Sequence, residues 1–401
     1  MDTEEIKILV TMKNNKVLIR TCMRKKIFFI PLFYILFIHL NILVFFLISV
    51  CSCSSPQKET VLSDLNYIYV DESTITKISK EDFKEQDVKQ IRQIPLNVIM
   101  MNKEVDILVK NGYLVIKALG RYSGAKLINI FSEDGSKHIK ELAPFGSGPD
   151  EFTDLRIIPT SDDDLLCYIL SLHNKKLYAL DNKLSLEYIS IFPMPNNIED
   201  FRLGVNDLYH LKTDEFLCQQ RAENGLGICK ININDSIVTG LVGLNFSESL
   251  DSFWQIYTGH TAYNPQKNLI AYSMSFFDRI LLFNADNSHL KVIQCGTLSK
   301  LVSKSRSDFY NTGEEKTYYR ALFSDENFFY ALYKGEKRYS PDFDENGHYY
   351  IEKYDWEGNP VKRYKLPKGM RFYGGCSTNE NNVFYLVCSH EDEFLFKVIL
   401  E

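Results

Sequence analysis

The segment Ile351-Glu352-Lys353-Tyr354-Asp355-Trp356-Glu357-Gly358-Asn359-Pro360-Val361-Lys362-Arg363-Tyr364-Lys365-Leu366 reads as two strands joined by a turn. Apolar and polar side chains alternate on both arms, as a half-buried strand requires. Asp, Gly and Asn between them supply the backbone freedom and local hydrogen bonds that reverse a chain. The same unit recurs: Leu127 to Ile139 around Glu133-Asp134-Gly135, Lys176 to Ile191 around Asp181-Asn182, Ile228 to Val242 around Asn234-Asp235, and Ile280 to Ile293 around Asp286-Asn287. Successive units stand roughly 45 to 55 residues apart, with one longer interval, which is the spacing of four-stranded propeller blades and too long for solenoid turns. The expected fold is an all-β propeller of about six blades.

The last run, Phe394 to Leu400, starts another such unit, but the chain ends where its turn should come. A ring leaves an unpaired edge unless a strand from the other end of the chain completes the final blade. Tyr67 to Lys80 is the expected donor, pairing with Phe394 to Leu400. Composition agrees with a strand-rich chain, with 27 Phe and 24 Tyr against only 12 Pro in 401 residues. No Pro-rich or Ser-rich linker interrupts 62–401, so that stretch is expected to be one domain.

Residues 1–52 are unlike the rest. Arg24, Lys25 and Lys26 precede a run from Ile27 to Val50 that is almost entirely Ile, Leu, Phe and Val. A charged start and an apolar helix make an export signal. Met23 stands where an initiator would, which leaves 1–22 as an extra or spurious extension and 23–52 as the signal segment. Val50-Cys51-Ser52-Cys53 ends the run and resembles a bacterial lipobox, in which the signal is cut before a cysteine whose thiol carries lipid. Cys53 is the expected lipidation site, with 53–61 as a tether. An uncleaved anchor is the alternative, since roughly 20 apolar residues span a bilayer. Either way the remainder is exported.

Residues 1–52 hold seven of the 46 basic and three of the 52 acidic residues, so the remainder carries 39 against 49 and a net charge near −10. Such a surface repels phosphate backbones, and no cationic stripe with interleaved aromatics offsets it, so nucleic acid is not an expected partner. The exported part also carries Cys167, Cys218, Cys229, Cys295, Cys376 and Cys388, none in a CxxC pair. This is the usage of small buried hydrophobes and not of a zinc site. Cys218 and Cys229 face each other if the hairpin between them turns at Glu223-Asn224, and not if it turns at Asn224-Gly225.

Pro144-Phe145-Gly146-Ser147-Gly148-Pro149-Asp150-Glu151-Phe152 is the most distinctive short stretch. It is no phosphate loop, because strand-like Leu155-Arg156-Ile157-Ile158 follows where a helix would have to start. The expected role is structural: Gly146 and Gly148 permit positive φ where one blade hands over to the next, Pro149 stiffens the exit, and Phe145 and Phe152 plug the gap between blades. Gly146-x-Gly148-Pro149-x-Glu151-Phe152 resembles the interblade signature of exported six-bladed propellers, and Tyr354 to Val361 resembles their blade hairpin. The chain from about Leu62 to Glu401 is similar to the TolB-like six-bladed propeller lipoproteins of Gram-negative gut anaerobes. That resemblance implies a lipoprotein on the periplasmic or cell-surface side, the outer membrane favoured, and carries no assigned reaction.

Other motifs point to no chemistry. Asp342-Phe343-Asp344-Glu345-Asn346-Gly347 starts like a calcium loop, but Lys353 stands where the bidentate glutamate belongs. Asp162-Asp163-Asp164 reads as a blade turn. The histidines are scattered, no Gly-x-Ser-x-Gly elbow occurs, and no carboxylates pair recognisably. The polar excursion Thr297 to Lys316 reads as a loop on one face. No cofactor, metal or catalytic residue is expected. The leading reading is a lipid-anchored noncatalytic binding or scaffolding module whose partner is a protein or glycan. The alternative is a propeller enzyme acting on glycans or small esters through channel carboxylates.

Overall fold

The computed structural model describes residues 9–13, 16–20, 61–62 and 67–401, apart from 97, 99–105, 119–123, 194–207, 223–224, 246–253, 287–288, 297–308, 310–313, 339, 341–344 and 389–393. The chain divides into Met1–Gln57 and Lys58–Glu401. In the first unit Leu9–Lys13 and Lys16–Arg20 pair as an antiparallel hairpin. The expected signal segment and Cys53 lie outside the described residues. Among the described residues no helix is long and apolar enough to cross a membrane.

The second unit is six antiparallel blades. Their innermost strands are, in chain order, Ile107–Lys110, Leu155–Pro159, Tyr209–Lys212, Gly259–Asn264, Lys316–Ser324 and Phe372–Ser377. Each blade then adds strands outward, so the five repeated hairpins are the third and fourth strands of blades 1 to 5. Middle strands such as Leu165–Ser171 and Val383–Cys388 are buried nearly throughout, because both of their faces meet a neighbouring blade. That double burial is why they read as unbroken apolar runs. Turns follow the side-chain chemistry: Asp355 accepts the Asn359 amide at 2.7 Å and Asp181 the Ser185 amide at 2.7 Å. Gly358 sits at φ 83, and a Cβ there would lie 2.6 Å from Ile293 of the next blade, so only glycine fits the conformation and the space. Trp356 beside it packs within blade 5 against Phe329, with ring centroids 5.4 Å apart, in a core shared with Leu282 and Ile293 of blade 4.

The last blade holds three strands from the carboxyl end, and its fourth comes from the amino-terminal side, as a closed ring requires. The donor is Gln90–Pro95, antiparallel to Phe394–Ile399 from Phe394↔Pro95 to Ile399↔Gln90. This corrects the expectation that Tyr67 to Lys80 closes the ring. That stretch lies on other blades: Ile68–Tyr69 runs parallel to the outermost strand of blade 3, and Thr76–Ile78 parallel to that of blade 4. Val61–Leu62 also joins blade 3, and Lys84–Asp87 joins blade 5. Residues 61–62 and 67–95 are therefore a belt along the rim that covers the sheet edges of blades 3, 4 and 5 before completing blade 6.

The belt is pinned by specific contacts. Arg279, fully buried, grips Glu72 with two hydrogen bonds of 2.7 and 2.6 Å and Gln294 with a third of 3.0 Å. Phe83 sets its edge against Tyr354 at 5.3 Å. Tyr67 lies over Gly227, where any Cβ would come within 2.3 Å of its hydroxyl.

Candidate functional site

Six innermost strands converge on the ring axis and enclose a cavity of about 150 Å³. Its wall is mixed, with Ile107, Val109, Ile157 and Leu322 interspersed with Thr261, Ser324, Ser377 and the charged Asp106 and Arg156. At one end stands an ionic cluster. Arg156 Nη1 lies 3.6 Å from Asp106 Oδ2, and the buried Lys117 ammonium lies 3.9 Å from the same oxygen and 2.7 Å from Asp154. Two cations and two anions balance there, so blades 1 and 2 are locked together without a net field.

Among the described residues that line the cavity, Asp106 is the sole carboxylate. Glycoside chemistry calls for two carboxyl groups facing one bond, and this wall presents one, held between cations. The volume points the same way, since ligand pockets run to about 300–1,000 Å³. The cavity can hold water or a small group.

The two ends of the ring differ. At one end strands join through tight turns such as 111–112 and 213–214. At the other, each outermost strand leads to the next innermost one through the connections 96–106, 145–154, 192–208, 245–258, 296–315 and 366–371. The expected excursion Thr297 to Lys316 is the longest of these. Within it Phe309 is buried edge-on against Phe276 at 4.7 Å, which ties the excursion to blade 4.

The glycine motif lies at this end, between blades 1 and 2. Phe152 is buried in the core the two blades share and contacts Tyr178 at 5.3 Å, while Lys176 Nζ donates to the Pro149 carbonyl at 3.1 Å. Neither Gly146 nor Gly148 has positive φ, which corrects the conformational expectation. The demand is for space: the Glu151 carboxylate folds back to accept the Gly148 amide at 2.7 Å, and a Cβ on Gly146 would sit 2.1 Å from its oxygen. An amide that could have greeted an external anion is occupied by the chain's own glutamate.

The remaining candidates take structural places. His210 is buried between the Thr160 hydroxyl at 2.7 Å and the Thr213 carbonyl at 2.9 Å, and burial holds its pKa below the usual range. His260 is pushed down to about 4, by burial first and by the Arg320 charge second. Asp162, Asp163 and Asp164 form a turn whose carbonyls are taken by Lys110, Asn111 and Asn182. Of the calcium-like stretch, 342–344 lies outside the described residues. Cys218 and Cys229 are direct cross-strand partners as free thiols, with the Tyr67 hydroxyl 3.3 Å from Cys229 Sγ, and burial pushes the Cys229 thiol up to about 12.

Sequence reasoning had no route to the ionic cluster, because its members are unremarkable charged residues until the ring brings blades 1 and 2 together. It also missed a second buried group between blades 4 and 5. There Tyr319 and Tyr333 donate to Asp278 at 2.9 and 3.3 Å, and Tyr354 donates to Glu352 at 3.0 Å. Burial raises both carboxyls, Asp278 to about 6 and Glu352 to about 7, against the smaller opposing pull of Arg363, the tyrosine hydroxyls and Lys80.

Comparison with known proteins agrees with this architecture. The sequence model of the TolB-like 6-blade propeller-like family matches residues 81–373. A member of the DUF4221 family from Bacteroides vulgatus superposes with a TM-score of 0.56 at 11% identity, over 78% of this chain and 97% of its own. A Bacteroides fragilis protein described as exported superposes at 0.52 with 11% identity, over 81% of this chain and 100% of its own. No curated protein matches the chain.

Proposed function

The chain belongs to the TolB-like six-bladed propeller family, and on that premise we propose that it is an exported, lipid-anchored module that binds a protein or glycan at the cell envelope without catalysing a reaction. The observation that carries this reading is the contrast between its two candidate surfaces. The axial cavity, at about 150 Å³ with one carboxylate already held by Arg156 and Lys117, is too small and too neutral for a substrate. The strand ends that lead from one blade to the next all lie at one end of the ring, and segments that join such strands are where a rigid scaffold usually carries recognition. Lipid on Cys53 would keep the module on the outer side of a membrane, periplasmic or at the cell surface, with the outer membrane favoured.

Two measurements test the proposal. Cys53→Ser should move the protein from the membrane fraction to the soluble one; a variant that stays in the membrane fraction refutes the lipid anchor. Mature protein should retain a glycan or envelope-protein ligand on an array or in crosslinking, and should lose it when 297–315 is replaced by a short glycine-serine link. Turnover of sugar esters or lactones that disappears in Asp106→Asn would overturn the noncatalytic reading.

A further inference from the structure

The rim of the ring has two unlike halves. Among the described residues the exposed large apolar side chains are Tyr69, Ile139, Tyr188, Ile189, Ile191 and Ile237, between 38% and 49% exposed. Every one lies at the outer edge of blades 1, 2 or 3. Ile139 is on the outermost strand of blade 1, Tyr188, Ile189 and Ile191 are on that of blade 2, and Ile237 and Tyr69 are on blade 3 and the belt strand beside it. Blades 4 to 6 show none, and the belt presents Lys77, Lys84, Glu85, Asp87 and Arg92 there.

Edge strands are normally blunted by charge or covered, because an open apolar edge invites association. Here the belt covers blades 3 to 5 and its last strand finishes blade 6, while His138–Pro144 and Leu186–Ile191 end their sheets with no further strand among the described residues; the first exposes His138, Lys140 and Glu141 beside Ile139, whereas Glu187 is the single exposed charge on the second. Single apolar residues on a surface need no explanation, but their confinement to three consecutive blades does.

Where the chain enters the ring supplies the occupant. The belt begins at Val61–Leu62, paired with Ile237 and Val238 on blade 3. Val61 is eight positions beyond Cys53, and an extended chain covers at most about 3.3–3.6 Å per residue. A lipid on Cys53 therefore holds the membrane surface within about 30 Å of Ile237, on the apolar half of the rim. The side-chain types suit that surface, since tyrosine and isoleucine place an apolar body in the interfacial layer and tyrosine keeps its hydroxyl in water.

We propose that the rim of blades 1 to 3 is a membrane-docking surface, on which Tyr188, Ile189, Ile191 and Ile237 rest in the lipid interface beside the anchor. The ring then stands edge-on, with its axis along the membrane plane. Its loop end faces sideways and stays open to partners, and the charged belt over blades 4 to 6 faces the aqueous phase. The inference rests on the lipid anchor proposed above.

Depth-dependent quenching tests it. Lipid-bearing mature protein is reconstituted into vesicles of phosphatidylethanolamine and phosphatidylglycerol, with a fluorophore on Tyr188→Cys, Ile237→Cys, Lys77→Cys or Glu85→Cys. The six native cysteines beyond Cys53 are buried and do not compete for the label. Brominated lipids should quench the label at 188 and 237 at least twofold more than at 77 and 85. The triple variant Tyr188→Ser, Ile189→Ser, Ile191→Ser should abolish that contrast at 237 while the protein stays on the vesicles. Equal quenching at all four positions on vesicle-bound protein overturns the docking surface and leaves the anchor standing. Protein that does not remain on vesicles overturns both. Concentration-dependent self-association, with labels at 188 shielded but unquenched by bromolipid, assigns the rim to a second copy and also overturns the proposal.

Discussion

Replacing Asp278 by asparagine should stabilise the protein at alkaline pH and do little at acid pH. Asp278 is buried between blades 4 and 5, with its pKa raised from 3.8 to about 6, chiefly by burial. A carboxyl whose folded pKa lies above its unfolded value favours the protonated form in the native state. The cost of charging it is absent below the unfolded value near pH 4, grows between pH 4 and 6, and is complete above pH 7. Two pH units correspond to about 3 kcal/mol, an upper bound, since the hydroxyls of Tyr319 and Tyr333 retain some hydrogen bonding to either residue. Glu352, raised to about 7 partly by the Asp278 charge, should also titrate lower in the variant. The assay is urea unfolding of wild type and Asp278→Asn from pH 5 to pH 8. Comparing the two proteins cancels His260, whose depressed pKa of about 4 acts in the opposite sense by lowering stability as pH falls from 6.5. The stability difference should be about half developed at pH 5 and reach about 2–3 kcal/mol in favour of the variant at pH 8. A difference that is constant across this range, or that favours wild type more as pH rises, would refute the reasoning.

Gly146→Ala should cost about 1 kcal/mol by turning the flexible Glu151 carboxylate away and releasing the Gly148 amide it holds; in a Glu151→Ala background the same substitution should cost less, and strict additivity in the double-mutant cycle would deny the contact. Glu72→Gln should cost on the order of 2 kcal/mol, less than the 3–5 expected when a fully buried pair is broken, because Glu72 is half in water while Arg279 is not. Hydrogen exchange at Thr76–Ile78 should quicken in that variant, and unchanged protection would show that the belt does not depend on this clamp. Deleting Gln90–Pro95 should leave the last blade with an open edge and promote self-association, readable by sedimentation. The six cysteines beyond Cys53 should resist alkylation in native protein and react in urea, since all are buried.

Much of the fold was legible because blade hairpins are local. An alternating arm, an Asp/Asn/Gly turn and a second arm lie within a short stretch, and the five hairpins identified from those signals are the third and fourth strands of the first five blades. The incomplete unit at Phe394 to Leu400 likewise announced a strand borrowed from the amino-terminal side. Which strand is borrowed was not legible. Tyr67-Ile68-Tyr69-Val70 is the stronger strand former, whereas Gln90-Ile91-Arg92-Gln93-Ile94-Pro95 is polar and ends in proline. An outermost strand tolerates both features, because one side has no partner to satisfy, and the polar strand takes the place because it directly precedes the connection to blade 1.

The site divides in the same way. The sequence by itself determined a strand-built ring, an apolar signal-like start before Cys53, and the glycines between Phe145 and Phe152, since each depends on neighbours in the chain. Only the tertiary structure decided that Gly146 makes room for Glu151, that Asp106, Lys117, Asp154 and Arg156 meet beside the axis, and that a belt covers the edges of blades 3 to 5 while the outermost strands of blades 1 and 2 have no further strand among the described residues. The ionic cluster and the belt join residues from different blades, and their distances exist only once the ring closes; Glu151 reaches Gly146 only because the connection between blades 1 and 2 folds back on itself.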